Sequence, residues 1–368
     1  MAVSRAWFEA ARANYARRLR HVAAQQDELL RAVAAASPGD TLLLQPGLHW
    51  LSSEFLIEKQ LRVQAQTPGA ATVLATRCPS LLRTRCNVML NGLTFCRMGD
   101  EEGYPNAVVV AEGGLLCMDG CRVTCGGAAP SVEHALRAFE GAPAPGEAWP
   151  RDRLPPGDPA ESHADEAQPR SGPQSGVWVG SGAHVKLRRC TLSRCSGPGV
   201  KIYRGRLEAV GNTIAFSRCG ANVVANSGRV VLMHNEIHGA RGDGVSSWNN
   251  SQMRVERNSI HSNEGTGVTI NTGGGSVTID GNSFSDNMHT AVQFATSSVK
   301  KVKLSNNDWS RNAAGGCHGL SQPQPQLQRM QAAPIDAPSP MDVDASAAST
   351  EPGSRSSEVG SSRGSVEI

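Results

Sequence analysis

Aromatic residues are scarce in this 368-residue sequence, at 4%, so its interior is not the aromatic-centred core of a wide globule and must be filled by small and β-branched side chains. Long apolar runs are missing too. No stretch approaches the roughly 18 uninterrupted apolar residues of a membrane-crossing helix, and the opening segment from Met1 to Arg20 is charged and amphipathic with no apolar signal core. Neither membrane contact nor secretion is expected, and the reading is an intracellular, cytoplasmic protein, with the nucleus left open. Charge of one sign is equally lacking. Lys+Arg number 36 against 33 Asp+Glu, a net of +3, and no basic run interleaved with aromatics marks a nucleic-acid surface. Metal-knuckle spacing is absent as well: Cys121/Cys125 and Cys190/Cys195 are separated by three and four residues and lack histidine partners. The ten cysteines therefore read as reduced, small buried hydrophobes, and no metal or cofactor is expected.

Glycine, at 39 residues, is plentiful, and it punctuates short apolar segments. Tyr15, Leu19, Val22, Leu29 or Leu30, and Val33 fall at spacings of three and four, predicting an amphipathic helix from Trp7 to Ala36 that Ser37-Pro38-Gly39 ends. The run Asp40–Trp50, then Phe55–Ile57 and Leu61–Val63, reads as short apolar strands divided by turn residues.

The main signal is a ladder anchored at Asn91, Cys121, Cys190, Asn212, Asn235, Asn258, Asn282 and Asn307, whose last five intervals are 22, 23, 23, 24 and 25 residues. Two positions after each anchor sit Leu93, Val123, Leu192, Ile214, Ile237, Ile260, Phe284 and Trp309. Three before sit Val88, Met118, Leu187, Ala209, Leu232, Val255, Ile279 and Leu304, and the positions five before are apolar as well. Offsets two apart share one face of a strand, so one strand ends at the anchor and a second begins there. A third opens ten residues on, at Val200, Val245, Val268 and Val292. The fold class is all-β: a single right-handed parallel β-helix, three strands per coil of about 23 residues, with an N-terminal capping helix. Stacked Asn residues at the corner bond to one another and to backbone, a structural duty. The predicted divisions are the helix at 1–37, first coils at 38–125, an insertion at 126–175 with a short helix at Val132–Phe139, regular coils at 176–316, and a Pro/Ser/Ala-rich disordered tail at 317–368.

The pattern N-x-[IF]…G-V-x-[IV] resembles the parallel β-helix repeat superfamily, which includes polysaccharide lyases, hydrolases and epimerases alongside non-enzymatic β-helices. Such an enzyme needs paired carboxylates or a carboxylate cluster. Glu256 and Asp280 share the offset two before the anchor, and His238 and His261 the offset three after it, with Asp243 on the same turn region. Glu256, Asp280, His238 and His261 are the candidate catalytic residues and Asp243 a candidate binding residue, although solvated faces account for them as well. Trp178 and Trp248 are candidate binding anchors for a protein or a sugar. Residues Trp7, Glu9, Ala10 and Tyr15 resemble the segment preceding the first coil in F-box proteins that carry β-helix repeats. That resemblance implies a substrate-recognising arm of a ubiquitin ligase, here without the F-box. The functional expectation is thus a non-catalytic scaffold for a protein partner, with a carbohydrate-active β-helix acting on or binding a polysaccharide as the alternative.

Overall fold

The computed structural model describes residues 19–76, 78–98, 106–126, 174–271, 275–295 and 301–319. Within them the chain winds through about ten coils, building three parallel sheets of eleven (A), ten (C) and nine (B) strands. One coil shows the rule. Arg206–Val210 lies in sheet A, Thr213–Ala215 in B and Val223–Asn226 in C, and the next coil repeats them as Arg229–Met233, Glu236–His238 and Val245–Trp248. Equivalent residues pair directly, Leu207 with Val230 and Ile214 with Ile237, so like stacks on like about 4.8 Å apart. Alternation does the rest: Leu207 and Ala209 are fully buried while Arg206 and Val210 face out. The inward columns merge into one core running from Val22 to Phe294.

The corners are made by single residues in the left-handed conformation. Before sheet B the φ-positive residue is Gly92, Gly120, Arg189, Gly211, His234, Arg257, Gly281 and Asn306 in successive coils. Between B and C it is Arg194, Phe216, Gly239, Ser262, Asp286 and Arg311. Between C and A it is Gly182, Arg204, Ser227 and Asn249. Asparagine accompanies two of these corners. Asn212, Asn235, Asn258 and Asn282 each donate from Nδ2 to the Oδ1 of the next asparagine, ending at Asn307, over 2.8–3.0 Å. The same Oδ1 accepts the backbone N–H of the asparagine before it. A second ladder, not anticipated from the sequence, joins Asn263, Asn287 and Asn312 through Nδ2–Oδ1 bonds of 2.9 and 2.8 Å.

Three expectations change. Asn91 is not a rung of the corner ladder: it pairs with Asp119, and the left-handed Gly92 precedes Leu93, which occupies the position of Cys121. An Asn-Gly pair before an apolar strand imitated the repeat two residues early. The N-terminal capping helix does not stand as expected either. Residues 1–18 lie outside the described residues, Leu19–Val22 is a strand paired with Thr41–Leu44, and only Glu28–Ala35 is helical, burying Leu29 and Val33. The apolar Leu19 and the β-branched Val22 are recruited by the free edge of sheet A, and tertiary pairing overrides helical spacing. The insertion and tail boundaries shift too, because Gly126 closes one strand, Ser175 opens the next, and Cys317–His318 adds to sheet C. The helix expected at Val132–Phe139 lies outside the described residues. No disulfide is assigned to any of the ten cysteines. Among the described residues no helix is long and apolar enough to cross a membrane.

Candidate functional site

The corner where sheet C passes into sheet A opens into a cleft of about 530 Å³. Its shape follows from residues without side chains at the turn. A Cβ on Gly205 would stand 2.5 Å from the Gly180 carbonyl oxygen, and one on Gly228 would stand 2.6 Å from Ile202 Cγ2. Only glycine lets the coils close there, and a notch is left outside. Gly182, Ala183, Gly205 and Gly228 floor it, with His184, Arg204, Arg206, Arg229, Ser227, Asn250 and Gln252 around them. Among the described residues no carboxylate lines the cleft.

The charges follow the register. His184, Arg206, Arg229 and Gln252 form one column across four coils at the start of their sheet A strands. Arg206 pairs with Glu208, which also lies 3.4 Å from Lys186 and 3.2 Å from His184. Burial by itself would raise the Glu208 pKa, but these cations hold it below the usual carboxylate range. Burial, against the pull of Glu208, lowers the pKa of His184 and favours its neutral form. Neither Arg204 nor Arg229 forms an ion pair among the described residues, and both are exposed. Arg204 instead holds its guanidinium 5.3 Å from the centre of the Tyr203 ring. Tyr203 is 36% and Trp248 48% exposed. They belong to one outward column with Asn226 between them. Asn249 donates to Asn226 Oδ1 over 2.7 Å, and Ser227 N–H donates to the Trp248 carbonyl, tying the aromatic column to the rim.

The residues singled out from the sequence are distributed differently. His238 and His261 do stack, with ring centres 5.0 Å apart and planes within 3°, and Phe216 meets His238 edge-on. They sit on sheet B, away from the cleft-lining residues. Burial, reinforced by His261, pushes the His238 pKa down to about 4, and Glu236 lies 3.5 Å from His261. Glu256 and Asp280 are neighbours in sheet A rather than on the face of the histidines. Glu256 is held by Arg254, while Asp280 accepts from Ser305 and Asn306. Asp243 is a turn residue whose Oδ1 accepts the Thr266 N–H at 2.9 Å. Trp178 is not an exposed anchor: it is 9% exposed and packs with Ala107 and Val110. None of these candidates is among the described residues that line the cleft; Trp248 is joined to it through its carbonyl, which accepts the N–H of the lining residue Ser227. Among the described residues no group of three or more His, Cys, Asp or Glu is arranged to hold a metal ion.

The signal for the cleft was present in the sequence six residues before each corner anchor, where His184, Arg206 and Arg229 recur, with glycine at 205 and 228 just ahead. Residues 170–327 match the family described as "Right handed beta helix region". The chain carries a right-handed β-helix. Among solved structures, it is similar to the PL6 family alginate lyase AlyGC at 12% identity, covering 80% of this chain and 39% of that one, with a TM-score of 0.37. An alginate lyase from Paenibacillus sp. matches at 11% identity over 82% of this β-helix chain and 98% of its own, TM-score 0.42. Pectate lyase Pel9A matches at 11% over 80% of each chain, TM-score 0.41. At these identities and TM-scores the likeness carries no argument about this chain. The β-helix thus spans well under half the length of the PL6 enzyme. No curated protein matches the sequence. The β-helix part of the resemblance seen in the sequence is therefore shown, whereas the F-box part is not. The residues that carried it, Trp7, Glu9, Ala10 and Tyr15, lie outside the described residues.

Proposed function

We propose that the chain is a carbohydrate-binding β-helix whose C-to-A corner takes up an acidic polysaccharide. The observation that carries this reading is the cleft itself: a notch without carboxylates, with Arg204 and Arg229 free of ion pairs among the described residues and an exposed Tyr203/Trp248 column at its side. Guanidinium forks match carboxylates in geometry, and exposed aromatic faces suit the apolar faces of sugar rings. The cleft is assigned binding rather than turnover, because Glu208, the carboxylate paired with its lining residue Arg206, is also engaged by Lys186 and His184. No observation singles out a protein partner in the same way.

Calorimetric titration of the full chain with alginate and polygalacturonate tests the proposal. Saturable binding that weakens at least tenfold in an Arg204→Ala/Arg229→Ala variant of unchanged melting temperature is expected. Absence of uronate binding, or equal binding of single-stranded poly(dT), would reject it.

A further inference from the structure

Resting on that reading, we infer that the site takes a flat, two-fold ribbon of uronic acid residues lying along the solenoid axis, one sugar per coil. The inference comes from register rather than from charge alone. Arg206 and Arg229 stand at the same strand position in adjacent coils, so their backbone positions repeat with the coil spacing of about 4.8 Å. Tyr203 and Trp248 stand at one position in coils two apart, with Asn226 filling the coil between. Aromatic stations therefore recur after about 10 Å along the axis, with little lateral shift.

A polymer that fits must place alternate sugars at the same lateral position with the same face turned inward. Diequatorially β-1,4-linked pyranoses do this, because each ring is turned over relative to the last and two of them advance by close to two coils. A polymer that winds about its own axis carries its third ring and carboxylate off the line of the column. The two stations are not alike. Tyr203 carries Arg204 over its ring, which aims a guanidinium at a carboxylate on the first sugar. Arg229, one coil on, serves the second sugar. Trp248, 48% exposed and bordered by Asn249 and Asn250, receives the face of the third. Asn250 and Gln252 line the cleft beside it and supply hydroxyl partners.

Four probes separate this from the broader reading: the β-1,4-linked dimer and trimer of mannuronic acid, the α-1,4-linked trimer of galacturonic acid, and uncharged cellotriose. Calorimetry on the full chain should find trimannuronate at least tenfold tighter than dimannuronate, trigalacturonate and cellotriose. Trp248→Ala should erase the gain from dimer to trimer and leave dimannuronate binding unchanged, whereas Arg229→Ala should weaken both. Trigalacturonate bound as tightly as trimannuronate, or a dimer-to-trimer gain that survives Trp248→Ala, would overturn the ribbon inference and leave an acidic-polymer site standing. Failure of every uronate to bind would remove both. Trp248→Phe provides the check on folding, since it keeps an aromatic face and should restore most of the trimer gain.

Discussion

Removing the Asn235 side chain tests whether the corner ladder holds the coils together. Asn235 is 2% exposed and its amide makes four contacts. Oδ1 accepts the Asn212 N–H at 2.9 Å and Asn212 Nδ2 at 2.8 Å, while Nδ2 donates to the Ala209 carbonyl at 3.0 Å and to Asn258 Oδ1 at 2.9 Å. At about 1 kcal/mol net for each bond, Asn235→Ala forfeits roughly 4 kcal/mol, and the buried Asn212 N–H left without its acceptor works in the same direction. Because each coil touches only its neighbours, the loss falls on two interfaces of the stack, three bonds to the preceding coil and one to the following. Urea unfolding followed by circular dichroism should show a destabilisation of about 3–5 kcal/mol. Asn235→Asp sharpens the test. An ionised carboxylate keeps the bonds from Asn212 but donates nothing to Ala209 and faces Asn258 Oδ1, so at pH 7 it should be at least as harmful as alanine. Such a group has a raised folded-state pKa, so stability should recover as pH falls and be lost as pH rises through that pKa. Asn226→Ala, at a half-buried position on the outward face of sheet C, is the control. A cost for Asn235→Ala as small as the control's, under about 1 kcal/mol, would refute the reasoning.

Three further outcomes are expected. His238 has its pKa held at about 4 by burial and by His261, so below the unfolded value of 6.5 the unfolded chain takes up a proton that the folded chain refuses; stability should fall by up to about 3 kcal/mol between pH 6.5 and 4, and His238→Gln should flatten that slope in pH-dependent melting. Gly228→Val would drive a Cβ to 2.6 Å from Ile202 Cγ2 and 2.9 Å from the Gly205 carbonyl, costing about 1–3 kcal/mol and narrowing the cleft, which titration with alginate should register as weaker binding. Cys190→Asn should stabilise by about 1 kcal/mol in urea, because Cys190 N–H already donates to Asn212 Oδ1 at 2.8 Å and its Sγ already faces the Met118 carbonyl, the place where the ladder pattern puts an Nδ2.

The coil period was legible because burial enforces it: each inward column, such as Val185, Leu207, Val230, Met253 and Val277, tolerates only apolar residues. The corner asparagines were legible for the same reason, since a buried amide with both ends satisfied leaves few substitutes. The slip at Asn91 shows the limit. A left-handed turn accepts glycine readily, and Asn-Gly ahead of an apolar strand looks alike whether the asparagine is the rung or stands two residues before it. The second ladder was hidden because it begins only at Asn263, while the same column holds Cys195, Ser217 and Ala240 in earlier coils. Trp178 misled because an outward strand position says nothing of what covers it.

The three corners of the coil divide the work of the fold. Two are closed by amide ladders whose donors and acceptors are consumed within the stack, so they have nothing left to offer a ligand. The third has no such ladder. It is closed by glycines packed against carbonyl oxygens, and the residues flanking those glycines are exposed. Arg204 and Arg229 make no ion pair there among the described residues, and it is there that the histidine–arginine column and the Tyr203/Trp248 column stand side by side. In a solenoid whose every coil repeats the same backbone, a ligand site has to be built where the repeat leaves side chains unspent, and in this chain that place is the C-to-A corner.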